Sequence, residues 1–295
     1  MYQQSDWISR LYSRRNIFIK HNKNQTGMTL IEVLLAITLE LLLIAFLFET
    51  YLAHQYNFQL QFNLQRLQTQ AQLAMDVLQT AITQAGYIGC PLLTEHLPIA
   101  ASPSYQLSVA NQLTGSIANE ITVRYLEQPY ARLLTQDNPQ STEKIVSAKP
   151  VLPARAILLI TDCQRAEVFQ QSKVIASKQQ QKIILDRPLH YTFQSYAAVG
   201  RLAINKYFVA KTQRNYADGS PIYALFVEDI QLRKTELIEG VQAMRLYYSV
   251  QQGEQLIDLP AQQITDWSKV RGVAFELDIY YPPIRKTWYG YVSRT

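Results

Sequence analysis

The sequence predicts an α+β fold, with one long N-terminal helix packed on a mostly antiparallel β-sheet head. Three observations carry this. Residues 28–85 contain neither proline nor glycine and hold apolar residues first in a continuous run and then at helical spacing. Gly86 and Gly89-Cys90-Pro91 supply a stop. From Tyr105 onward the pattern changes to short runs that alternate apolar and polar residues.

The first 27 residues are basic. Arg10, Arg14, Arg15, Lys20 and Lys23 face Asp6 alone, so +4 of the formal charge of +5 lies there and the rest of the chain is near +1. The bulk charge of the remainder therefore predicts no acidic partner.

From Val33 to Phe48 only Thr38 and Glu40 are not apolar. With Leu30 and Ile31 before it and Tyr51 to Ala53 after it, the segment is long enough to cross a bilayer as one helix. Basic residues before it favour a cytoplasmic N-terminus. A secretory signal peptide would place small residues after the apolar core, but Glu49-Thr50-Tyr51-Leu52-Ala53-His54 is a poor cleavage site. The small residue, Gly27, lies between the basic region and the apolar run. A plain signal anchor does not account for Glu32, because a carboxylate inside an apolar span is costly and is usually paired or functional.

Gly27-Met28-Thr29-Leu30-Ile31-Glu32 followed by a long apolar helix resembles the prepilin signal of type IV pilins and type II secretion pseudopilins. The resemblance implies cleavage between Gly27 and Met28 by an inner-membrane prepilin peptidase, with N-methylation of Met28. It also implies that Glu32 is the family's acidic residue near the new N-terminus. There it can neutralise a neighbouring subunit's terminal amine in a low-dielectric helix bundle. Family members often begin with Phe where this chain has Met28. Glu40 lies about 80° further around the helix. It either meets a polar group on a partner subunit during assembly or stays a protonated carboxyl without a specific partner.

Beyond His54 the chain is Gln-rich. Leu60, Leu64, Leu67, Ala71, Ala74, Leu78, Ala81, Ala85 and Ile88 recur at 4-3 spacing, which is one apolar seam on a helix. The seam fits a coiled coil with another chain, or the face that packs on the protein's own head. Its small residues suit close packing on a sheet. The glutamines off the seam, such as Gln65, Gln68, Gln70 and Gln72, are expected to be solvated or to face other subunits.

Candidate strands in the head are Tyr105–Val109, Glu120–Leu126, Ala156–Thr161, Lys182–Leu185, Arg201–Lys211, Ile222–Val227, Ile230–Lys234, Val241–Val250, Val270–Tyr280 and Trp288–Ser293. A short helix is expected within residues 259–269. Apart from the strands just named, residues 94–150 match no family motif and read as a specific insertion.

The head carries a finer resemblance. Gly86-Tyr87-Ile88-Gly89-Cys90, Leu158-Leu159-Ile160-Thr161-Asp162-Cys163, Glu239-Gly240-Val241 and Trp267-Ser268-Lys269-Val270-Arg271-Gly272-Val273 occur in that order. Together they resemble the PilW minor pilins. The resemblance implies a type IV pilin-like fold and a disulfide between Cys90 and Cys163. From the residues alone, these two cysteines fit neither a zinc site nor a CxxC motif. They would pair in an oxidising compartment, or else stand as unrelated buried thiols.

The expected organisation is a cleaved cytoplasmic leader at 1–27, a transmembrane and filament-core half-helix at 28–53, a periplasmic half-helix at 54–89 and a β-rich head at 90–295. What the resemblance implies is a single-pass inner-membrane protein with a periplasmic head that passes into the pilus filament or its tip. It also implies the partners: other minor pilins, the major pilin, the inner-membrane assembly platform and a tip adhesin. The roles that follow are motility, adhesion and DNA uptake. A J-type pseudopilin of type II secretion is the alternative, and a membrane-anchored periplasmic binding protein a more distant one.

No HExxH, GxSxG, P-loop or GxGxxG motif occurs, and the four histidines are scattered. The sequence thus points to no catalytic, cofactor-binding or metal-binding residues and to a protein that is not an enzyme. Arg201, Lys206, Lys211 and Arg214 are interleaved with Tyr207, Phe208 and Tyr216. They form either a DNA-binding face or an ordinary solvated strand face.

Overall fold

In the computed structural model the described residues are 29–89, 93, 96–100, 105–134, 138 and 140–294. The chain divides into two compact units, Met1–Phe58 and Gln59–Thr295. One α-helix, α1 (Leu30–Gln84, 55 residues), runs through the boundary.

In the first unit, every described residue from Thr29 to Phe58 is exposed, including Leu39, Leu42 and Phe46 at 58%, 69% and 68%. The helix is long and apolar enough to cross a membrane. At its start Glu32 reaches back: the Thr29 N–H donates to Glu32 Oε2 at 3.1 Å, and the Thr29 carbonyl accepts the Glu32 N–H at 3.0 Å.

The second unit holds the rest of α1 and two sheets. The strands are β1 (Ile99–Ala100), β2 (Leu113–Gly115), β3 (Ile121–Leu126), β4 (Ala131–Arg132), β5 (Glu143–Ser147), β6 (Ile157–Thr161), β7 (Ala166–Ala176), β8 (Gln180–Leu185), β9 (Ala198–Asn215), β10 (Pro221–Glu228), β11 (Lys234–Glu239), β12 (Val241–Gln252), β13 (Gln255–Leu259), β14 (Val270–Tyr281) and β15 (Ile284–Ser293). The larger sheet runs β11-β10-β9-β6-β7-β8-β5, with β3 and β4 on the other edge of β9, β2 beside β3, and β1 beside β7. The smaller sheet runs β13-β12-β14-β15. The β1–β7 pair is parallel and the other described pairs are antiparallel.

The helical seam packs on the protein's own head. Leu67, Ala71, Ala74, Leu78, Ala81 and Ala85 are buried in one core with Tyr248, Phe275, Leu277 and Ile121. Alanines let the helix backbone approach the sheet closely, and burial of this apolar face is what fixes the helix there. Leu60 and Leu64, the first two seam positions, are only half-buried. Gln70 departs from the solvated expectation: its Nε2 donates to Glu239 Oε1 at 3.4 Å. The helix ends where expected, with the Gly86 N–H donating to the Arg124 carbonyl at 2.8 Å.

Most expected strands are present, and three segments differ. Tyr105–Val109 is no strand, because Ser108 and Asn111 close a turn: Ser108 N–H donates to Asn111 Oδ1 at 2.7 Å and Gln112 N–H to the Ser108 carbonyl at 3.0 Å. Ile230–Lys234 is likewise a turn, since Asp229 Oδ1 accepts the N–H groups of Gln231 and Arg233 at 2.8 and 3.0 Å. The strand there starts later, as β11. Residues 259–269 form two 3₁₀ turns, Ala261–Gln263 and Trp267–Lys269, rather than one helix. The expected strand within residues 94–150, β3, pairs with β9 and places Ile121 and Val123 in the core against α1.

Candidate functional site

The residues singled out in the sequence fall in three places. Gly27, Met28 and Cys90 lie outside the described residues. Glu32 and Glu40 are on the exposed first half of α1. Cys163 lies two residues past β6, in the turn before β7, with φ of 69°, and is disulfide-bonded. The chain's other cysteine is Cys90.

Glu32 lies one turn into the helix. Its Oε2 takes the Thr29 N–H, one of the four N–H groups an α-helix leaves without an internal partner. Glu40 makes no hydrogen bond or ion pair with any described residue.

The Glu239-Gly240-Val241 element gains a physical role. Glu239, at the end of β11, is gripped by Arg66 from α1, and Arg214 Nη1 from β9 lies 3.3 Å from its second oxygen. Arg66 also sits over the Tyr281 ring at 4.7 Å and donates to its hydroxyl at 3.1 Å. Gly240 has φ of 86°, and a Cβ there would lie 3.0 Å from Gln70 Oε1 and 3.1 Å from the Tyr280 carbonyl oxygen. This element clamps the helix to both sheets. Burial and the neighbouring Glu239 push the Tyr216 phenol beside it up to about 12.

The Trp267–Val273 element has a packing role. Trp267 meets Tyr248 edge-on, with ring centroids 4.9 Å apart. Arg271 Nη1 donates to the Ser268 carbonyl at 2.9 Å.

Sequence reasoning missed three polar anchors. Arg294 Nη2 donates to the Ala85 carbonyl at 3.1 Å, which places a cation at the C-terminal end of α1. Burial, and secondarily Arg271, lowers its pKa. Glu167 is fully buried in β7 and accepts from Arg187 Nη1 at 3.0 Å and from the N–H groups of His190 and Tyr191 at 2.7 and 3.1 Å. Gln181 is buried in β8; its Nε2 donates to the carbonyls of Ser147 and Pro150 at 2.8 and 2.7 Å, and its Oε1 accepts the Leu152 N–H at 2.9 Å. Each lies far in sequence from its partners, so no local pattern announces it.

The basic and aromatic residues of β9 do not form one open stripe. Tyr207 is in the core, and Phe208 stacks on Phe226 at 5.8 Å. Arg201 pairs with Glu127 at 3.3 Å, Lys206 with Glu228 at 2.9 Å, and Arg214 with Glu236 and Glu239.

Among the described residues no group of three or more His, Cys, Asp or Glu side chains is placed to hold a metal ion. One concavity of about 550 Å³ is lined by Gln251, Leu259, Asp266, Lys269 and Arg271. Asp266 is engaged there in local structure: its Oδ1 accepts the Ser268 N–H at 3.0 Å and the Ser268 hydroxyl at 2.6 Å, an arrangement that holds its carboxyl below the usual carboxylate range.

No family model, curated protein or solved structure matches this chain.

Proposed function

We infer that this chain is a minor pilin of the PilW type. It is made as a prepilin and cut after Gly27 by prepilin peptidase. It is held in the inner membrane by α1 with its head in the periplasm. It then enters a type IV pilus, in a tip or initiation complex with other minor pilins. The role is structural rather than catalytic. The observation that carries this reading is the contrast along α1. Its first half is apolar and exposed throughout, while its second half is sealed into a head by its own seam. Such a helix presents an apolar rod that can exchange lipid for neighbouring helices.

Glu32 supports the same reading. Its Oε2 serves its own helix start, which leaves Oε1 for the terminal amine that cleavage before Met28 would create on a neighbouring subunit. Two substitutions separate the tasks. Glu32→Gln keeps a side-chain acceptor for the Thr29 N–H but removes the charge, whereas Glu32→Ala removes both. Both variants are expected to be processed normally and to be lost from sheared pili. Normal incorporation of Glu32→Gln would refute the charge role.

Co-purification with other minor pilins and a drop in pilus number on deletion are the outcomes expected for the whole reading. A deletion strain that keeps twitching and transformation but loses exoprotein secretion would assign the chain to the type II secretion machinery instead.

A further inference from the structure

The smaller sheet has two free edges, β13 and β15. Hydrogen-bond parity identifies which backbone groups they present. The Arg294 N–H donates to the Arg271 carbonyl at 2.7 Å, in register with the Gly272↔Ser293 pairing. In an antiparallel ladder, exchanging pairs alternate with non-exchanging ones. The even-numbered residues of β15 therefore bond to β14. Arg285, Thr287, Tyr289 and Tyr291 turn their N–H and C=O groups away from it, and these groups bond to no described residue. On the opposite edge, Gln252↔Gln255 closes a two-residue hairpin, which makes it an exchanging pair and leaves Leu256 and Asp258 facing outward.

These edges match each other. β13 runs antiparallel to β12, β12 to β14, and β14 to β15, so β13 and β15 run in opposite directions. Laid side by side from two copies, they pair antiparallel with their core faces on the same side. The charges are complementary: Glu254 and Asp258 lie within residues 253–259 and no base does, while Arg285 and Lys286 lie on β15 and no acid does. Both edges also leave apolar area in water, with Leu256 at 57%, Ile257 at 38%, Tyr289 at 70% and Tyr291 at 54% exposed. A β15–β15 pairing would give Arg285 and Lys286 no carboxylate.

We propose that β15 receives the β12–β13 hairpin of a second copy of this chain as an added strand, with Asp258 opposite Arg285 and Leu256 opposite Thr287. The contact is head-to-tail and heterologous, so it does not close on a pair and can continue along a row of heads. It is independent of helix-driven assembly through Glu32.

The test uses the full chain in membranes, with its native cysteines kept. One population carries Leu256→Cys and the other Thr287→Cys. Directly opposed exchanging residues sit about 5.5 Å apart at Cα, within disulfide reach. The mixture is expected to cross-link at least ten times more than either population alone. Asp258→Arg on the first population should cut that yield at least tenfold, and Arg285→Asp on the second should restore it. Asp258→Pro on the first population, which removes an outward N–H inside the proposed pairing and leaves the ladder to β12 intact, should abolish it. Rescue by the charge swap keeps the conclusion independent of how well the proline variant folds. No cross-link in the mixture, or equal cross-linking of Thr287→Cys chains with one another, would overturn the proposal. Glu32→Ala should leave the cross-link unchanged while blocking incorporation into pili, so failure of one idea is distinguishable from failure of the other.

Discussion

At Gly240 two demands coincide. The backbone needs φ of 86°, and Gln70 of α1 and the Tyr280 carbonyl approach where a Cβ would stand. A left-handed conformation costs an L-residue about 1–2 kcal/mol, and the contact with a backbone oxygen adds to that. Gly240→Ala is therefore expected to destabilise the head by more than Gly253→Ala. Gly253 has φ of 63° with nothing within 4 Å of an added Cβ. Urea midpoints of the two variants measure the difference, and equal losses would show that the close approach is immaterial. A second residue-scale effect is electrostatic. Hydrogen bonds from Arg245 to Asp278, at 3.1 and 3.2 Å, are the main cause holding that carboxyl below the usual carboxylate range. Because the folded pKa is the lower one, this contribution is fully present above the unfolded value, near 4. It is lost as pH falls through the folded value. The stability gap between the native chain and Arg245→Met should thus be constant above about pH 5 and shrink below about pH 4. A gap that widens on acidification would contradict the assignment.

At the scale of elements, legibility followed the range of the interactions. The 4-3 seam of α1 was readable because a helix face repeats locally. What the pattern left open was its occupant, and the buried set around Ala71, Ala74 and Leu78 settles that in favour of the head. β6 was readable because it is apolar from Ile157 to Ile160, with Leu158 and Ile160 in one core and Ile157 and Leu159 in another. β7 was missed because Glu167 interrupts its apolar run. That carboxylate is tolerated only because Arg187 and two N–H groups from residues 190–191 reach it, and nothing near position 167 reveals them. The disulfide of Cys163 was expected from the resemblance, whereas the Arg66–Glu239 clamp was not, since its partners are 173 positions apart. The seam yields its own prediction. Ala74 is fully buried against the head, so Ala74→Leu overpacks the helix–sheet contact and should cost about 1–3 kcal/mol. In a coiled coil with another chain the same change would add apolar contact and stabilise. Thermal melts at several protein concentrations distinguish the two.

For the whole molecule, the decisive feature is how the buried core is distributed. No described residue before Leu67 is buried, and the first side chains of α1 that bond to the head are Asn63, to the turn after β14, and Arg66, to Tyr281 of β14. The formal charge of +5 likewise describes the complete chain, since residues 1–27 carry most of it. If the two halves of α1 have separate tasks, the piece 59–295 should fold without the apolar half. Exported to an oxidising compartment, that fragment is expected to be soluble without detergent and to unfold cooperatively, whereas the full chain should partition into membranes. The disulfide of Cys163 should survive in the fragment. Closing a loop as long as the one between the two cysteines contributes about 4 kcal/mol on the chain-entropy model. Domain stabilities run to roughly 5–15 kcal/mol, so reduction should lower the melting temperature markedly without changing the spectrum of the folded state. A fragment that aggregates, or melts without cooperativity while oxidised, would mean that residues before 59 supply part of the folding energy. The apolar run could then no longer be read as a rod kept free for membrane and filament.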